Sequence, residues 1–566
     1  MCARRRVSAL AILATTLCPF LLSKGSPAQS THRQVGTQFE VTADPLVPRP
    51  SEQPCVVPLF SDFQFAFFSD TTQTFQFTPP SDCTGPWKKV VLSVNFSENG
   101  GTQFDRTATM YLNNTNIYFG TTPEPLETLT NTWHIERDMT DYSALMSIPQ
   151  QGAMVLQNCT TDCPPPYNTE LNGVFSVSAS LEFYPATQGE MPKGIPDVVL
   201  PLEQSNGSGG LNLPAFLFSP TDQFSTTFTL PANIERVYLD VISQSQSTDE
   251  QWYACFPNDL SSINELFGCG NTDFRETEIT IDGQPAGIAP VSPWVYTGFL
   301  PDQWVPAPGV QTLDFVPYRV NLTPFAGLLS DGNQHTVSLS VFNDDSYFSE
   351  TASLLLYLDK GSPQTTGAVL KNTLTVPSPV VQENLHGTGI VKGTIGVKSD
   401  RSFTIAGYVN TSHGKVSTSI DQHQDFSSTQ KIDFDTVNFT VLDQKTSVHN
   451  SVTSTTTASS NQGTVITHDD FSFPITVDVI LPVENSLFGL TVSTQQDYQA
   501  NKKVTHNGEV VRWDSVANAV KATDVSPNRS SQTYAESNSR GRSYNCEITS
   551  KDDTLTNVSQ GCTPKQ

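Results

Sequence analysis

Basic residues are scarce in this sequence. Its 566 residues include 31 lysines and arginines against 56 aspartates and glutamates, which gives a formal net charge of −25 at pH 7. A surface of that charge repels nucleic acid and anionic membranes. We therefore expect neither as a partner.

Long apolar runs with the 3.6-residue period of a helix are also missing. Threonine and serine are abundant, 10% of the residues are aromatic, and strong helix formers are few. Strands favour β-branched and aromatic side chains, so the composition predicts an all-β protein. Beyond the N-terminus, no segment is apolar enough to cross a bilayer.

The N-terminus has the pattern of a secretory signal peptide, which we place at residues 1–28. Its basic residues are followed by the apolar stretch 9–22 and then by Ser26-Pro27-Ala28, which resembles a cleavage site. Removal of this segment takes away four basic residues and no acid, so the net charge becomes −29. We expect a soluble protein that is secreted or periplasmic.

Eight of the ten cysteines lie beyond that signal. Eight cysteines allow about 105 pairings, and proximity along the chain favours pairing in sequence order. The predicted disulfides are Cys55–Cys83, Cys159–Cys163, Cys255–Cys269 and Cys546–Cys562. A zinc site is the alternative, but no Cys-x2-Cys pair meets a second pair or a His-x3-His, so we expect no metal.

Familiar catalytic signatures are absent. The chain has no G-x-S-x-G, no H-E-x-x-H, no Walker loop and no dinucleotide fingerprint, and its nine histidines are scattered. If the protein is an enzyme, carboxylates must carry the chemistry. Three charged groupings stand out: Phe104-Asp105-Arg106, "STDEQWYACFPND" from residue 247, and "NTDFRETE" from residue 271.

Each grouping also has a purely structural interpretation. Asp105 and Arg106 could form a surface turn with a neighbouring charge pair, and such pairs are worth little. Trp252 and Tyr253 could belong to the core. The residues alone leave both interpretations open.

An internal repeat organises the first two thirds of the chain. The copy that begins "TQFDRTATMYLNN" at residue 102 matches the copy that begins "NTDFRETEITIDG" at residue 271. In each copy a Phe and an Arg open a strand, a short turn follows, and a later strand closes the unit. Gene duplication explains the match, and it predicts two jelly-roll-like β-sandwiches followed by a β-rich C-terminal region. The predicted boundaries are 38–187 for the first sandwich, 188–198 for a linker, 199–362 for the second sandwich and 363–566 for the C-terminal domain.

The three charged groupings carry a resemblance to a known family. "QFDR", Asp249-Glu250-Gln251-Trp252-Tyr253 and "GNTDFRE" resemble, in order and spacing, motifs of the A-type acid peptide-N-glycosidases, also called glycoamidases. The likeness extends from "QFEVTADPLVP" to "LLLYLD" at residue 359. A more distant resemblance is to flavobacterial peptide-N-glycosidase F, whose principal catalytic aspartate corresponds to Asp105.

The resemblance implies hydrolysis of the amide that joins N-acetylglucosamine to asparagine in N-glycosylated peptides and glycoproteins, without a cofactor. Asp105 would orient or deprotonate water, with Glu276 or Glu250 as the second catalytic carboxylate. At the position of a glutamate in the flavobacterial enzyme this chain has Asn271, which could serve by hydrogen bonding instead. The implied substrate-binding residues are Arg106, Arg275, Asn271, Asp249, Trp252, Tyr253 and Trp294, with the aromatic ones stacking on sugar.

This interpretation places Asp105 and Arg275 in one cleft, facing each other from the two sandwiches. Arg106 would help to keep Asp105 ionised, because a nearby cation lowers the pKa of a carboxyl group. Two alternatives remain: a secreted glycan-binding or adhesion protein without catalysis, since fold does not fix function, and a glycosidase with paired carboxylates.

Overall fold

A computed structural model describes most of the chain. The described residues are 42–99, 101–124, 130–186, 194–203, 214–261, 269–296, 308–438, 440–480, 491–525, 527–552 and 554–562. The predicted signal peptide, much of the predicted linker and both chain ends lie outside them. The described part is built almost entirely from antiparallel strands, which confirms the all-β prediction.

The first sandwich is an eight-stranded jelly roll. One sheet has the strand order β1-β8-β3-β6 and the other β2-β7-β4-β5, which is the double Greek-key order of that fold. Its strands are β1 (Cys55–Phe65), β2 (Thr72–Phe77), β3 (Trp87–Asn99), β4 (Thr107–Leu112), β5 (Thr115–Thr121), β6 (Asn131–Asp138), β7 (Gln150–Leu156) and β8 (Val174–Pro185).

The second sandwich repeats this topology with one added strand. Its sheets have the orders β10-β17-β12-β15 and β11-β16-β13-β14, and β9 pairs with β17. Its strands are β9 (Val198–Pro201), β10 (Ala215–Leu217), β11 (Phe224–Thr229), β12 (Ile234–Gln246), β13 (Glu276–Ile281), β14 (Gln284–Pro290), β15 (Tyr318–Asn321), β16 (Gln334–Phe342) and β17 (Tyr347–Leu358).

The internal repeat is visible at equivalent strands of the two jelly rolls. β4 and β13 occupy the same place in the strand order, and each continues into a hairpin partner. Both hairpin turns have two successive residues with positive φ: 47° and 69° at Asn113-Asn114, and 51° and 75° at Asp282-Gly283. Such turns match the twist of paired strands and favour Asn, Asp and Gly. The structure therefore confirms two jelly-roll-like sandwiches related by a repeat.

The C-terminal region forms a twelve-stranded sheet that begins at β18 and ends at β29. Its long strands alternate buried and half-exposed side chains, as expected when one face of a sheet packs on a core. Its strands are β18 (Thr366–Asn372), β19 (Val380–His386), β20 (Ile390–Thr411), β21 (Gly414–Asp435), β22 (Thr440–Ser460), β23 (Gly463–Ser472), β24 (Ile475–Ile480), β25 (Thr491–His506), β26 (Glu509–Thr523), β27 (Arg529–Asn538), β28 (Ser543–Lys551) and β29 (Thr554–Val558).

In the part of the chain that the structure describes, helical structure is limited to short turns. The described residues contain no helix long and apolar enough to span a membrane. The turns are one α-helical segment, Ala326–Leu329, and 3₁₀ segments at Thr140–Ser147, Tyr167–Thr169, Ser247–Asp249, Trp252–Ala254, Thr323–Phe325 and Gln560–Cys562.

All four predicted disulfides are present. They join Cys55 to Cys83, Cys159 to Cys163, Cys255 to Cys269 and Cys546 to Cys562. Structural disulfides are typical of proteins that fold in an oxidising compartment. The predicted domain boundaries themselves stay predictions.

Apolar cores tie the three parts together. Phe119 of the first jelly roll packs with Ile242, Trp294 and Phe315 of the second. A second core joins Trp252 and its neighbours to one face of the C-terminal sheet, which contributes residues such as Phe426. The two jelly rolls therefore share a packed interface, and the C-terminal sheet covers another side of the second jelly roll.

Candidate active site

Asp105 lies at the junction of the two jelly rolls. It comes two residues before Thr107, which opens β4. The Thr107 hydroxyl accepts hydrogen bonds from the side-chain amides of Gln244 (3.0 Å) and Gln246 (3.2 Å) on β12 of the second jelly roll. The motif Asp105-Arg106 is therefore placed at the point where the first jelly roll touches the last residues of β12.

A tight turn brings Glu250 to the same junction. β12 ends at Gln246, and the 3₁₀ turn that follows begins with Ser247 at a φ of +56°. The Ser245 hydroxyl donates to the carbonyl oxygen of Glu250 (3.2 Å), and the Gln251 amide donates to its carboxylate (2.8 Å). The carboxylate is close enough to Asp105 that the charge of one changes the pKa of the other.

The two carboxylates differ in acidity. Burial raises the pKa of Asp105 to about 6, although the charge of Arg106 lowers it. Burial raises the pKa of Glu250 to about 8, and the negative charge of Asp105 contributes to that rise. Arg106 thus acts in the expected direction, but burial has the larger effect, so Asp105 is less acidic than the sequence led us to expect. Two coupled carboxyl groups of this kind hold one proton between them over an intermediate pH range.

Arg106 is held in place by its own loop. Its Nε and Nη2 atoms donate to the side-chain oxygen of Gln103 (3.3 and 3.0 Å), and its guanidinium lies 5.6 Å from the centre of the Phe104 ring. The Gln103 amide in turn donates to the carbonyls of Cys159 (3.1 Å) and Gly173 (2.9 Å). The Cys159–Cys163 disulfide segment therefore helps to fix the cation next to Asp105.

Two further acids near Arg106 were missed by the sequence analysis. Glu98 on β3 is fully buried, and burial together with the charge of Glu124 raises its pKa to about 8. The pKa of Arg106 is lowered by burial and raised by Asp105, Glu124 and Glu98. No sequence motif marks Glu98 or Glu124, because their role depends on neighbours from other strands.

Asp249 and Arg275 form a buried ion pair, with no exposed side-chain surface on either residue. The guanidinium donates to one Asp249 carboxylate oxygen from Nε (3.0 Å) and Nη2 (2.8 Å), and to the carbonyls of Gly270 (3.1 Å) and Thr272 (2.7 Å). The structure does not bring Arg275 into a cleft with Asp105. Its donors instead hold the loop before β13.

Asn271 also belongs to that loop. Its φ is +61°, a left-handed conformation in which asparagine is enriched. Its side chain donates to the carbonyl of Asp344 (3.0 Å) and accepts from Asn258 (2.9 Å). These contacts account for Asn271 as a loop-stabilising residue.

Glu276 lies away from Asp105. It opens β13 with no exposed surface and forms an ion pair with Arg401 of β20 in the C-terminal sheet. Burial raises the pKa of Glu276 to about 7, and Arg401 opposes that rise. Although β13 is the repeat equivalent of β4, it faces the C-terminal sheet and not the first jelly roll. Of the two candidates for a second carboxylate, the structure places only Glu250 beside Asp105.

The three aromatic candidates are core residues. Trp252 and Tyr253 are 0% exposed and Trp294 is 4% exposed. The Trp252 ring lies 6.4 Å from Phe426 of the C-terminal sheet, and the Trp294 indole donates to the carbonyl of Ser243 (3.0 Å). A ring without exposed surface has no face for a sugar, so the stacking expectation does not fit these positions.

The residues best placed for a cation lie elsewhere. Among the described residues, the ligand atoms of Glu235, Asp359 and His413 lie within 4.8 Å of one another. The Asp359 carboxylate already accepts the backbone N–H (2.5 Å) and hydroxyl (2.6 Å) of Ser412. Glu235 stands near the start of β12, whereas Glu250 follows the end of that strand, so this cluster is remote from Asp105.

Comparison with known proteins gives a consistent result. The family model described as peptide N-acetyl-β-D-glucosaminyl asparaginase amidase A matches residues 45–373. A curated protein from Prunus dulcis, peptide-N4-(N-acetyl-beta-glucosaminyl)asparagine amidase A, is 28% identical over 435 residues, which cover 73% of this chain and 72% of the relative.

Solved structures show a weaker likeness. A peptide-N(4)-(N-acetyl-β-D-glucosaminyl)asparagine amidase aligns with 16% identity and a TM-score of 0.35, over 54% of this chain and 96% of its own. The structure of PNGF-II aligns with 13% identity and a TM-score of 0.36, over 54% of this chain and 66% of its own. Likeness at this level supports no assignment of individual residues.

Proposed function

Because the chain belongs to the peptide N-acetyl-β-D-glucosaminyl asparaginase amidase A family, we propose that Asp105 and Glu250 together carry its amidase reaction. The protein is a hydrolase of the amide between N-acetylglucosamine and the asparagine side chain, and its substrates are N-glycosylated peptides and glycoproteins. The products are a peptide in which asparagine has become aspartate and a glycan that leaves as a glycosylamine.

The observation that supports this assignment is the pair of carboxylates at the junction of the jelly rolls. Their environments push their pKa values apart, to about 6 for Asp105 and about 8 for Glu250. Paired groups with separated pKa values are suited to act as base and acid in the same reaction. Between these values Asp105 is ionised and Glu250 holds a proton.

The proposed reaction uses both states. Asp105 accepts a proton from water as the water oxygen attacks the side-chain carbonyl carbon of asparagine. Glu250 then donates its proton to the nitrogen as the carbon–nitrogen bond breaks. A proton then passes from Asp105 to Glu250, which returns both carboxyl groups to their starting states. The reaction is a hydrolysis, so the proposed steps use no oxidant, reductant or metal.

Arg106 is the proposed electrostatic partner. An amide carbonyl is a weak electrophile, and a fixed cation near the oxygen stabilises the negative charge that develops during attack. Arg106 is suited to this role because Gln103 and Phe104 hold its guanidinium beside Asp105. Asp249, Arg275, Asn271, Trp252, Tyr253 and Trp294 support the site from behind and do not contact substrate in this proposal.

We also propose that the protein reaches its substrates outside the cytoplasm. Four disulfides and the predicted signal peptide support export, because thiols are kept reduced in most cytosols.

The test is glycan release from a defined glycopeptide in water labelled with heavy oxygen. The wild type should place one labelled oxygen in the new aspartate. Asp105→Asn and Glu250→Gln keep the side-chain shape, and we expect each to lower turnover by about 10²- to 10⁴-fold, the range for loss of a general acid or base. The matched control is Glu509→Gln, because Glu509 is exposed on the C-terminal sheet.

Three outcomes would contradict the proposal. Near-normal turnover by folded Asp105→Asn or Glu250→Gln would remove that residue from the mechanism. Binding of the glycopeptide without any change in its mass would favour a glycan-binding protein. Release of sugar that leaves one residue on asparagine would favour a glycosidase.

A further inference from the structure

Three neighbouring aromatic side chains that the proposed mechanism does not use lie beside the site, two exposed and one half-buried. Phe216 is 41% exposed and Phe218 is 61% exposed, and Tyr347 is half-buried. The ring centres lie 6.3 Å apart for Phe216 and Phe218, 6.0 Å for Phe216 and Tyr347, and 5.6 Å for Phe218 and Tyr347. We call this group the aromatic shelf.

Strand pairing places the shelf next to the junction. β10, which contains Phe216, pairs with β17, and β17 pairs with β12 so that Tyr347 lies directly opposite Gln246. The Tyr347 hydroxyl donates to the side-chain oxygen of Gln246 (3.4 Å), whose amide nitrogen donates to Thr107 (3.2 Å). Burial and the negative charge of Glu250 raise the pKa of Tyr347.

The spacing between neighbouring strands gives the distance from Phe216 to the junction of the jelly rolls. Neighbouring strands lie about 4.8 Å apart, so Phe216, two strands from β12, is roughly 10 Å from the end of that strand. That distance is longer than one sugar ring. A glycan attached at the junction would reach the shelf with its second or third sugar, not with its first.

The shelf makes little contribution to the core. Leu217 and Phe348 are its neighbours in sequence, and they are 2% and 0% exposed. Side chains alternate between the faces of a strand, so Phe216 and Tyr347 point outward on the face that also carries Gln246. These rings leave much of their apolar surface in water, and clusters of exposed apolar side chains commonly mark binding surfaces.

The chemistry of the shelf suits a sugar. A pyranose has an apolar face of C–H groups bordered by hydroxyls, and here flat rings adjoin the polar side chains of Gln246 and Tyr347. The exposed rings of Phe216 and Phe218 offer free faces on which the C–H face of a sugar can stack. We therefore assign the shelf to the glycan part of the substrate.

We propose that Phe216, Phe218 and Tyr347 bind the sugars beyond the first N-acetylglucosamine and so favour extended glycans over a single residue. This inference rests on the amidase function proposed above. It assigns the shelf to substrate binding and gives it no part in bond cleavage.

The experiment compares two substrates with the same peptide, one carrying a single N-acetylglucosamine and the other an extended N-glycan. In the double variant Phe216→Ala/Phe218→Ala, we expect KM for the extended glycan to rise about tenfold, equivalent to roughly 1.4 kcal/mol, with little change in kcat. Loss of binding that is equal in ground and transition states has this signature. For the single-sugar substrate we expect unchanged kinetics.

Controls separate this inference from the proposed function. Trp513→Ala removes an aromatic ring that is 39% exposed on the C-terminal sheet, and it should change neither substrate. If the wild type cleaves both substrates but the double variant changes neither, or changes both equally, the shelf does not bind the glycan. A KM change that follows peptide length would assign the shelf to the peptide. If the wild type cleaves neither substrate, the amidase function itself fails.

Discussion

The buried pair of Asp249 and Arg275 offers a sharp test of how the structure is held together. The family resemblance implies substrate binding for both residues, whereas in the structure neither has exposed side-chain surface. Asp249 also accepts the backbone N–H groups of Asp345 (2.9 Å) and Ser346 (2.6 Å). Asp249→Asn preserves the shape of the side chain but leaves the guanidinium of Arg275 buried without its counterion.

The expected cost is large. Removing one partner of a buried ion pair typically destabilises a protein by about 3–5 kcal/mol, because the remaining charge is uncompensated. The carboxyl group of Asp344 should recover part of this loss. Burial and the charge of Asp249 raise the pKa of Asp344 to about 8, so removal of that neighbouring charge lowers the pKa of Asp344 and favours its ionised form. We therefore expect Asp249→Asn/Asp344→Asn to be less stable than Asp249→Asn, although Asp344→Asn alone has a small effect.

Urea unfolding followed by tryptophan fluorescence measures this effect, since Trp252 and Trp294 lie in the second jelly roll. If the free energy of unfolding falls by about 3 kcal/mol per molar urea, the urea concentration at the midpoint of unfolding should fall by about 1 M or more. The control is Asp514→Asn, which breaks an exposed pair with Arg512 and should cost at most about 1 kcal/mol. An Asp249→Asn protein with wild-type stability and a raised KM would refute the structural role and restore the substrate-binding one.

Three further predictions concern other buried groups. Glu203 has a pKa raised by burial from 4.5 to about 8, so the native state binds its proton more tightly than the unfolded state. Its favourable contribution is complete below pH 4.5 and is lost as the pH rises from there to about 8. Glu203→Gln should therefore raise the thermal midpoint at pH 8 but not at pH 4, and equal shifts at both would contradict this. Glu276→Gln should lower the stability of the fold, because it leaves the cation of Arg401 without its carboxylate partner, while kcat stays within a few-fold of wild type. A large loss of kcat in a folded variant would show that Glu276 takes part in the reaction. Cys255 and Cys269 close a loop at the base of the site, so their replacement by alanine should cost roughly 3 kcal/mol in the chain-entropy model, and an unchanged urea midpoint would show that the bridge contributes nothing.

The architecture was largely accessible from sequence because its signals are local. The repeat carries two hairpin turns of the same type, and residues Asn113-Asn114 and Asp282-Gly283 match the backbone that such turns require. Each disulfide joins neighbouring cysteines in the chain, so proximity was sufficient. The prediction of a β-rich C-terminal region is confirmed, but it did not reveal that the strands form a single sheet or what that sheet covers.

The site was less predictable because it depends on contacts between distant segments. In the sequence, Trp252 resembles a residue that stacks on sugar. In the structure, Phe426 of the C-terminal sheet packs against its ring. In the sequence, Glu276 is as suggestive as Glu250. Only the folded structure distinguishes them, because it pairs Glu276 with Arg401 and places Glu250 beside Asp105. Phe216 and Phe218 belong to no sequence motif, and the exposure of Phe216 depends on which face of β10 is turned outward.

Among the described residues, the two equivalent loops of the repeat do not both form a candidate site. The repeat places an arginine before β4 and another before β13, in equivalent positions. Arg106 lies among acids of its own jelly roll, and Asp105 beside it interacts with Glu250 of the second, because β4 begins where β12 ends. Arg275 has no second jelly roll beyond it, and its guanidinium is used by Asp249 and loop carbonyls. Duplication thus supplied two equivalent loops, but docking of the two units brought only the first of them next to a carboxylate with a complementary pKa.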